Sequence, residues 1–269
     1  MKAGEARVLL TGAAGGIGRA VAARLVRSGA SVMLVGRSAA RLASLARELA
    51  ASVGADPTDE KRLAWRVADL TDPKALAQLA GDAAQWHCNV LVHGAGVPAF
   101  GPIAELEAAH LNTLVATNLI APILLTQALL PHLRTRTKAQ VICIGSALGR
   151  LGLPGFAAYS ATKFGLRGFA EALRRELAGT PVRVQYLGPR STQTNFNDAR
   201  AEAYARDTGA TLDTPERVAD ALLALLESER AERYVGFPEV IAVRLNGLAS
   251  SWLDGAFRKH RDSLQPRNR

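Results

Sequence analysis

Residues 7–10 (Arg-Val-Leu-Leu) run straight into Thr11-Gly12-Ala13-Ala14-Gly15-Gly16-Ile17-Gly18, and a helical pattern over 17–28 begins at once. An apolar strand, a glycine-rich turn and a helix in that order leave few folds open. Along Gly12, Ala14, Gly15, Gly16, Ile17 and Gly18 little side-chain bulk separates strand, helix and ligand. Backbone N–H groups at the helix start are then free to meet a pyrophosphate. A tight strand-to-helix turn without a ligand would use similar residues, but the strand–turn–helix context favours the phosphate.

The same alternation continues. Strands are predicted over 31–35, 63–67, 90–93, 140–144 and 182–187, with a last short one over 233–236. Helices are predicted over 39–51, 73–85, 106–133, 157–177 and 215–227. Pro73 and Pro215 stand at helix starts, the latter behind Thr214 as N-cap. Strands alternating with helices predict a parallel sheet covered on both faces, and continuously apolar strands such as 141–144 agree. Nothing in the composition opposes a globular chain. Of 269 residues 48% are hydrophobic and 21% charged, and two cysteines, Cys88 and Cys143, fit a reduced compartment. The stretch 111–133 lacks Asp, Glu, Lys and Arg, yet it contains Asn112, Asn118, Gln127 and His132. It reads as a helix buried in a soluble protein, because lipid would leave those groups unsatisfied. The first apolar stretch, 8–10, is too short for a secretory signal, so a cytoplasmic protein is expected. The five histidines show no metal-ligand spacing.

The second strand ends Val35-Gly36-Arg37-Ser38, where a NAD-binding unit carries a carboxylate for the ribose 2′-hydroxyl. A guanidinium there suits a 2′-phosphate, so NADP(H) is expected over NAD(H). Further on, Tyr159 and Lys163 lie one helical turn apart on one face. Ser146 follows a strand whose carboxyl end opens on the ligand crevice. A lysine ammonium near a tyrosine favours phenolate, and a serine hydroxyl can stabilise charge developing on a carbonyl oxygen.

Together these motifs resemble the short-chain dehydrogenase/reductase family over about residues 6–235. The family's T-G-x-x-x-G-x-G matches at Thr11, Gly12, Gly16 and Gly18, its Y-x-x-x-K at Tyr159 and Lys163, its serine at Ser146 and its helix asparagine at Asn118. The resemblance implies Tyr159 as acid/base, Lys163 as ribose anchor and Ser146 as carbonyl partner, with Asn118 holding a water in a proton relay. It implies adenine contact by Asp69-Leu70, although Asp69 could equally cap a turn. It implies close backbone passage at Gly94-Ala95-Gly96, where His93 replaces an asparagine and reads as structural. It implies contacts from Pro189 and Thr194, while Arg190 stands at a family glycine. It implies a substrate lid over 195–213 and a homodimer through the helices carrying Asn118 and Lys163.

The expected architecture is a Rossmann-type doubly wound three-layer α/β/α domain, 1–238, with strand order 3-2-1-4-5-6-7. A C-terminal extension, 239–269, would carry an amphipathic helix over 239–257 with Val240, Ile241, Leu245, Leu248, Trp252, Leu253 and Phe257 apolar. Net charge is +9, and the stretch 258–269 contributes five cations against Asp262. The extension either packs over the domain or its substrate mouth, or makes weak, reversible contact with an anionic membrane. Nucleic-acid binding is not expected. The chain reads as an NADP(H)-dependent oxidoreductase acting on a small, hydrophobic carbonyl or secondary alcohol. The rival readings are a non-catalytic NADP(H)-binding sensor and a membrane-peripheral reductase of lipid-like ketones.

Overall fold

The computed structural model describes residues 1–56, 58–236, 246, 254–255, 257–262 and 264. Seven strands form one sheet: β1 (Arg7–Thr11), β2 (Ser31–Gly36), β3 (Leu63–Val67), β4 (Val90–His93), β5 (Ala139–Ile144), β6 (Val182–Gly188) and β7 (Glu232–Tyr234). Their order is β3-β2-β1-β4-β5-β6-β7, every pairing parallel, as expected. Side chains alternate between two cores. Val8, Leu10, Val32 and Leu34 join one, and Leu9, Met33, Val35 and Leu91 join the other. Both faces are therefore apolar, the condition for a buried parallel sheet.

One face is covered by α1 (Gly16–Arg27), α2 (Ala39–Ser52) and α8 (Pro215–Ser228). The other is covered by α3 (Pro73–Gln85), α5 (Ala121–Arg134) and α6 (Ala157–Glu176). Local sequence fixes the helix starts. Ser38 caps α2, Asp72 caps α3 ahead of Pro73, and Thr214 caps α8 ahead of Pro215.

The helix predicted over 106–133 differs in an instructive way. It begins as α4 (Ala108–Val115), widens into a π-helical turn over Ala116–Ile120, then continues as α5. Pro122 lacks an N–H, and its ring opposes the carbonyl four residues back, that of Asn118. The backbone responds with an i→i−5 bond from Ala121 N–H to the Ala116 carbonyl. By length and composition, Ala108–Arg134 could cross a membrane. In this fold 39% of the most apolar stretch of that helix is buried, with Leu125, Leu129 and Leu133 in the core.

The segment read only as a lid, 195–213, contains α7 (Ala199–Thr208). Asp198 accepts from Ala201 N–H at its start, and Gly209 ends it in left-handed geometry, φ 75°. The amphipathic helix expected over 239–257 lies largely outside the described residues. Beyond it, α9 (Arg258–Asp262) falls within the basic stretch 258–269, and its His260 is hydrogen-bonded to Tyr204 of α7.

Candidate active site

The carboxyl ends of β1, β4, β5 and β6 bring together the residues singled out from sequence. Thr11 closes β1, and its Oγ1 accepts from Gly94 N–H (3.1 Å) and Ala95 N–H (3.2 Å). The first motif thus holds the turn Gly94-Ala95-Gly96. Gly12 is left-handed, φ 69°, and a Cβ there would sit 2.7 Å from Ala95 backbone atoms. Gly15 is the N-cap of α1 and offers no side-chain cap, while Gly16 is exposed. An uncapped helix start beside a bare turn has unpaired N–H groups for an anion, so these residues fit the pyrophosphate of a dinucleotide. Ala14 and Ile17 are half-buried and Gly18 is buried against Gly12. Thr194 lies on this loop as well, its side chain filling the space a Cβ on Gly16 would need.

Arg37 is exposed at the end of β2, and its charge helps hold the Asp69 carboxyl below its ordinary value. The larger cause is the Thr71 backbone and hydroxyl, which bond Asp69 Oδ1 at 2.9 and 2.7 Å. Asp69 therefore closes a turn, and Asp72, not Asp69, caps α3. Leu70 packs half-buried against the core. Arg41, which sequence reasoning passed over, donates to the Ala14 carbonyl at 3.3 Å. Its place in the first turn of α2, behind the Ser38 cap, was the available signal. Arg19, by contrast, pairs with Glu48 on a solvated face.

Ser146 follows β5, and its Oγ accepts from Leu148 N–H at 3.0 Å. Its backbone is gripped by Tyr186 of β6. Ser146 N–H donates to the Tyr186 hydroxyl (3.0 Å), which donates to the Ser146 carbonyl (2.9 Å). Pro189, next along, accepts from Ala147 N–H at 2.8 Å. Tyr186 was missed by sequence reading; a buried strand tyrosine needs a hydroxyl partner, and that was its signal.

Tyr159 and Lys163 share a face of α6. The Lys163 ammonium lies 5.5 Å from the Tyr159 ring centroid. Burial raises the Tyr159 phenol above its ordinary value, and a hydrogen bond with Ser146 opposes that shift. Burial also depresses Lys163 to about 8. The shift expected from sequence is a phenol lowered by its lysine; here desolvation is the largest cause and raises the phenol, with the Ser146 hydrogen bond opposing it. Asn118, wholly buried in the π turn, accepts from Val97 N–H (2.8 Å) and donates to the Val97 carbonyl (3.0 Å). Gly96 brings Asn118 and Lys163 side by side: a Cβ there would meet Asn118 Oδ1 at 3.3 Å and Lys163 Nζ at 3.8 Å. Ser146, Tyr159, Lys163 and Asn118 thus border one crevice.

Two departures from the family pattern are structural. His93 is buried with Nε2 2.8 Å from Thr126 Oγ1, and burial lowers its pKa to about 3. Arg190 turns from the crevice to Asp213, donating from Nη2 at 2.8 Å. Among the described residues no cluster of potential metal ligands occurs.

The sequence model of the short chain dehydrogenase family matches residues 6–205. The chain belongs to that family. This short-chain dehydrogenase is 32% identical over 254 residues to "Dehydrogenase/reductase SDR family member 7B" of Bos taurus, covering 91% of this chain and 78% of the relative. It is 34% identical over 212 residues to "Sulfoacetaldehyde reductase 2" of Chromohalobacter salexigens, covering 75% and 81%. Among solved structures it superposes on a short-chain dehydrogenase from Sphingobium yanoikuyae in complex with NADPH. That match has a TM-score of 0.77 and 26% identity, over 97% of each chain.

Proposed function

We propose that this protein is an NADP(H)-dependent oxidoreductase that interconverts a carbonyl compound and a secondary alcohol, with Tyr159 as acid/base. The observation that carries the reading is the convergence of Ser146, Tyr159, Lys163 and Asn118 on one crevice beside the glycine loop. Gly12, Gly15, Gly16, Gly18 and the turn Gly94-Ala95-Gly96 would hold the dinucleotide, Lys163 its nicotinamide ribose, and Thr194 its nicotinamide end. Arg37, with Arg41 beside the loop, would take the 2′-phosphate. When bound, NADP(H) supplies or accepts the hydride.

The protein's own part is proton and charge management. Desolvation keeps the Tyr159 phenol protonated, so in reduction it donates to the developing alkoxide oxygen. The Ser146 hydroxyl would hydrogen-bond that same oxygen and stabilise its charge. The Lys163 ammonium then stabilises the phenolate left behind, and a water held by Asn118 would return the proton through Lys163. In alcohol oxidation the same groups run in reverse.

A cytoplasmic homodimer belongs to this reading. Val115, Ile120 and Phe164 expose apolar surface on α4, the π turn and α6, at 42%, 43% and 42%. Their pairing across a two-fold axis would cover them. Replacement Tyr159→Phe tests the central claim. Turnover with a ketone should fall by about 10²–10⁴-fold while NADPH affinity, read by fluorescence titration, stays within twofold. Turnover retained in this variant would overturn the mechanism.

A further inference from the structure

The wall beside Tyr159 is built of rings. Phe156 and Phe196 stand edge-on to Tyr159, with centroids 6.4 and 6.2 Å away. Phe156 continues to Phe100 (4.9 Å) and to Tyr204 of α7 (5.7 Å), and these two pack on one another at 4.9 Å. Phe100 and Tyr204 are buried, and Ala201 joins them. A fourth stretch of chain completes the cluster. Leu264 packs into it beside Gly155, and His260 of α9 packs tilted against Tyr204, at 53° with a centroid distance of 5.5 Å.

The polar contact here has a defined direction. The Tyr204 hydroxyl donates to the Pro154 carbonyl at 3.1 Å and lies 2.6 Å from His260 Nδ1. A carbonyl only accepts, and a phenol has one proton. Both bonds form together only when His260 carries its proton on Nδ1 and donates to the phenol oxygen. Burial pushes the Tyr204 phenol up to about 12, so it keeps the proton it donates. One hydroxyl thereby ties α7 to the turn before α6 and to the C-terminal segment.

Resting on the carbonyl-reductase reading, we infer that His260 is a specificity-determining latch. Through Tyr204 it seats α7 on Phe100 and Phe156, and the aromatic wall so formed selects carbonyl compounds bearing an aryl group. Of these rings, half-buried Phe156 and Phe196, 36% exposed, stand beside Tyr159 with surface to meet a further ring, while buried Phe100 and Tyr204 back Phe156. A charged substituent finds less to meet, because Arg200, which lies over Phe100, is already paired with Glu105 at 2.6 Å.

The test uses the full chain and two ketones, acetophenone and butanone, with NADPH. His260→Ala and Tyr204→Phe should each raise KM for acetophenone at least fivefold, with the double variant no worse than the worse single. The KM for NADPH should move less than twofold, and His260→Gln, which keeps a side-chain N–H, should recover part of the loss. Amide hydrogen exchange across residues 199–208 should quicken in both single variants. An unchanged ratio of KM for the two ketones overturns the inference, as does unchanged exchange in α7. If the wild-type chain turns over neither ketone, the reading of function falls. The latch then stands on faster exchange and falls on unchanged exchange.

Discussion

The Lys163 ammonium sits 5.5 Å from the centroid of the Tyr159 ring, and both side chains are pushed toward neutrality by burial. This pair sets a conflict between stability and activity. Lys163 is 3% exposed and its pKa falls from 10.5 to about 8. The unfolded chain binds that proton more tightly, so stability rises with pH from about 8 to 10.5. Below pH 8 the whole cost of burying the charge is present. Lys163→Met should therefore stabilise the fold at pH 7 by on the order of 3 kcal/mol in urea denaturation, while turnover is lost. A destabilised variant would show that the charge is compensated.

Acid sensitivity should be concentrated at His93. Its pKa is lowered from 6.5 to about 3, so the unfolded state takes the proton first as pH drops. Stability is then lost progressively between pH 6.5 and 3, by roughly 5 kcal/mol in full. His93→Asn should flatten the dependence of stability on pH across this window, read from denaturation midpoints at pH 4, 5, 6 and 7. An unaltered slope would place the acid-labile group elsewhere.

Cofactor choice should depend on Arg37. Two charge-assisted hydrogen bonds to a 2′-phosphate are worth about 1.5–3 kcal/mol or more, so Arg37→Ala should weaken NADPH binding at least roughly tenfold. NADH binding should shift less than twofold. Equal losses with both nucleotides, measured by titration calorimetry, would remove Arg37 from the phosphate site.

Tyr186 should matter despite lying outside the crevice. Tyr186→Phe leaves the Ser146 N–H and carbonyl without their partner in a buried turn. A cost of about 1–3 kcal/mol in stability is expected. Because Ser146 loses its anchor, kcat should fall more than KM for NADPH rises. A variant with wild-type kcat would show that Leu148 and Pro189 hold the turn unaided.

Much of this was legible in the sequence because it depends on local pattern. Apolar runs such as 141–144 announced a sheet covered on both faces, and neighbouring residues Val8 and Leu9 do enter opposite cores. Thr11, Gly12, Tyr159 and Lys163 could be read from spacing, since one turn and one helical repeat fix their geometry. Less accessible were features that depend on distant partners. Tyr186 meets Ser146 across 40 residues, and His260 meets Tyr204 across 56. The π turn was hidden because the consequence of Pro122 appears four residues upstream, at Asn118. Helix α7 was hidden by its polar composition, although Asp198 and Gly209 mark its ends. The raised pKa of Tyr159 could not be read from residue types alone, since it comes from burial in the folded chain.

The stretch between β6 and α8 begins and ends at one place. Asp213 N–H donates to the Ser191 carbonyl and Gln193 N–H to the Asp213 carbonyl, both at 2.9 Å, while Arg190 and Arg217 grip the Asp213 carboxylate. The loop is thus closed on itself before it reaches the crevice, like a cassette plugged into a fixed socket. Residues 194–212 thus leave and return through one fixed point, while their seat above it is set by their own contacts, Thr194 on the glycine loop and Tyr204 on Pro154 and His260, so a graft between such frames must carry those contacts with it.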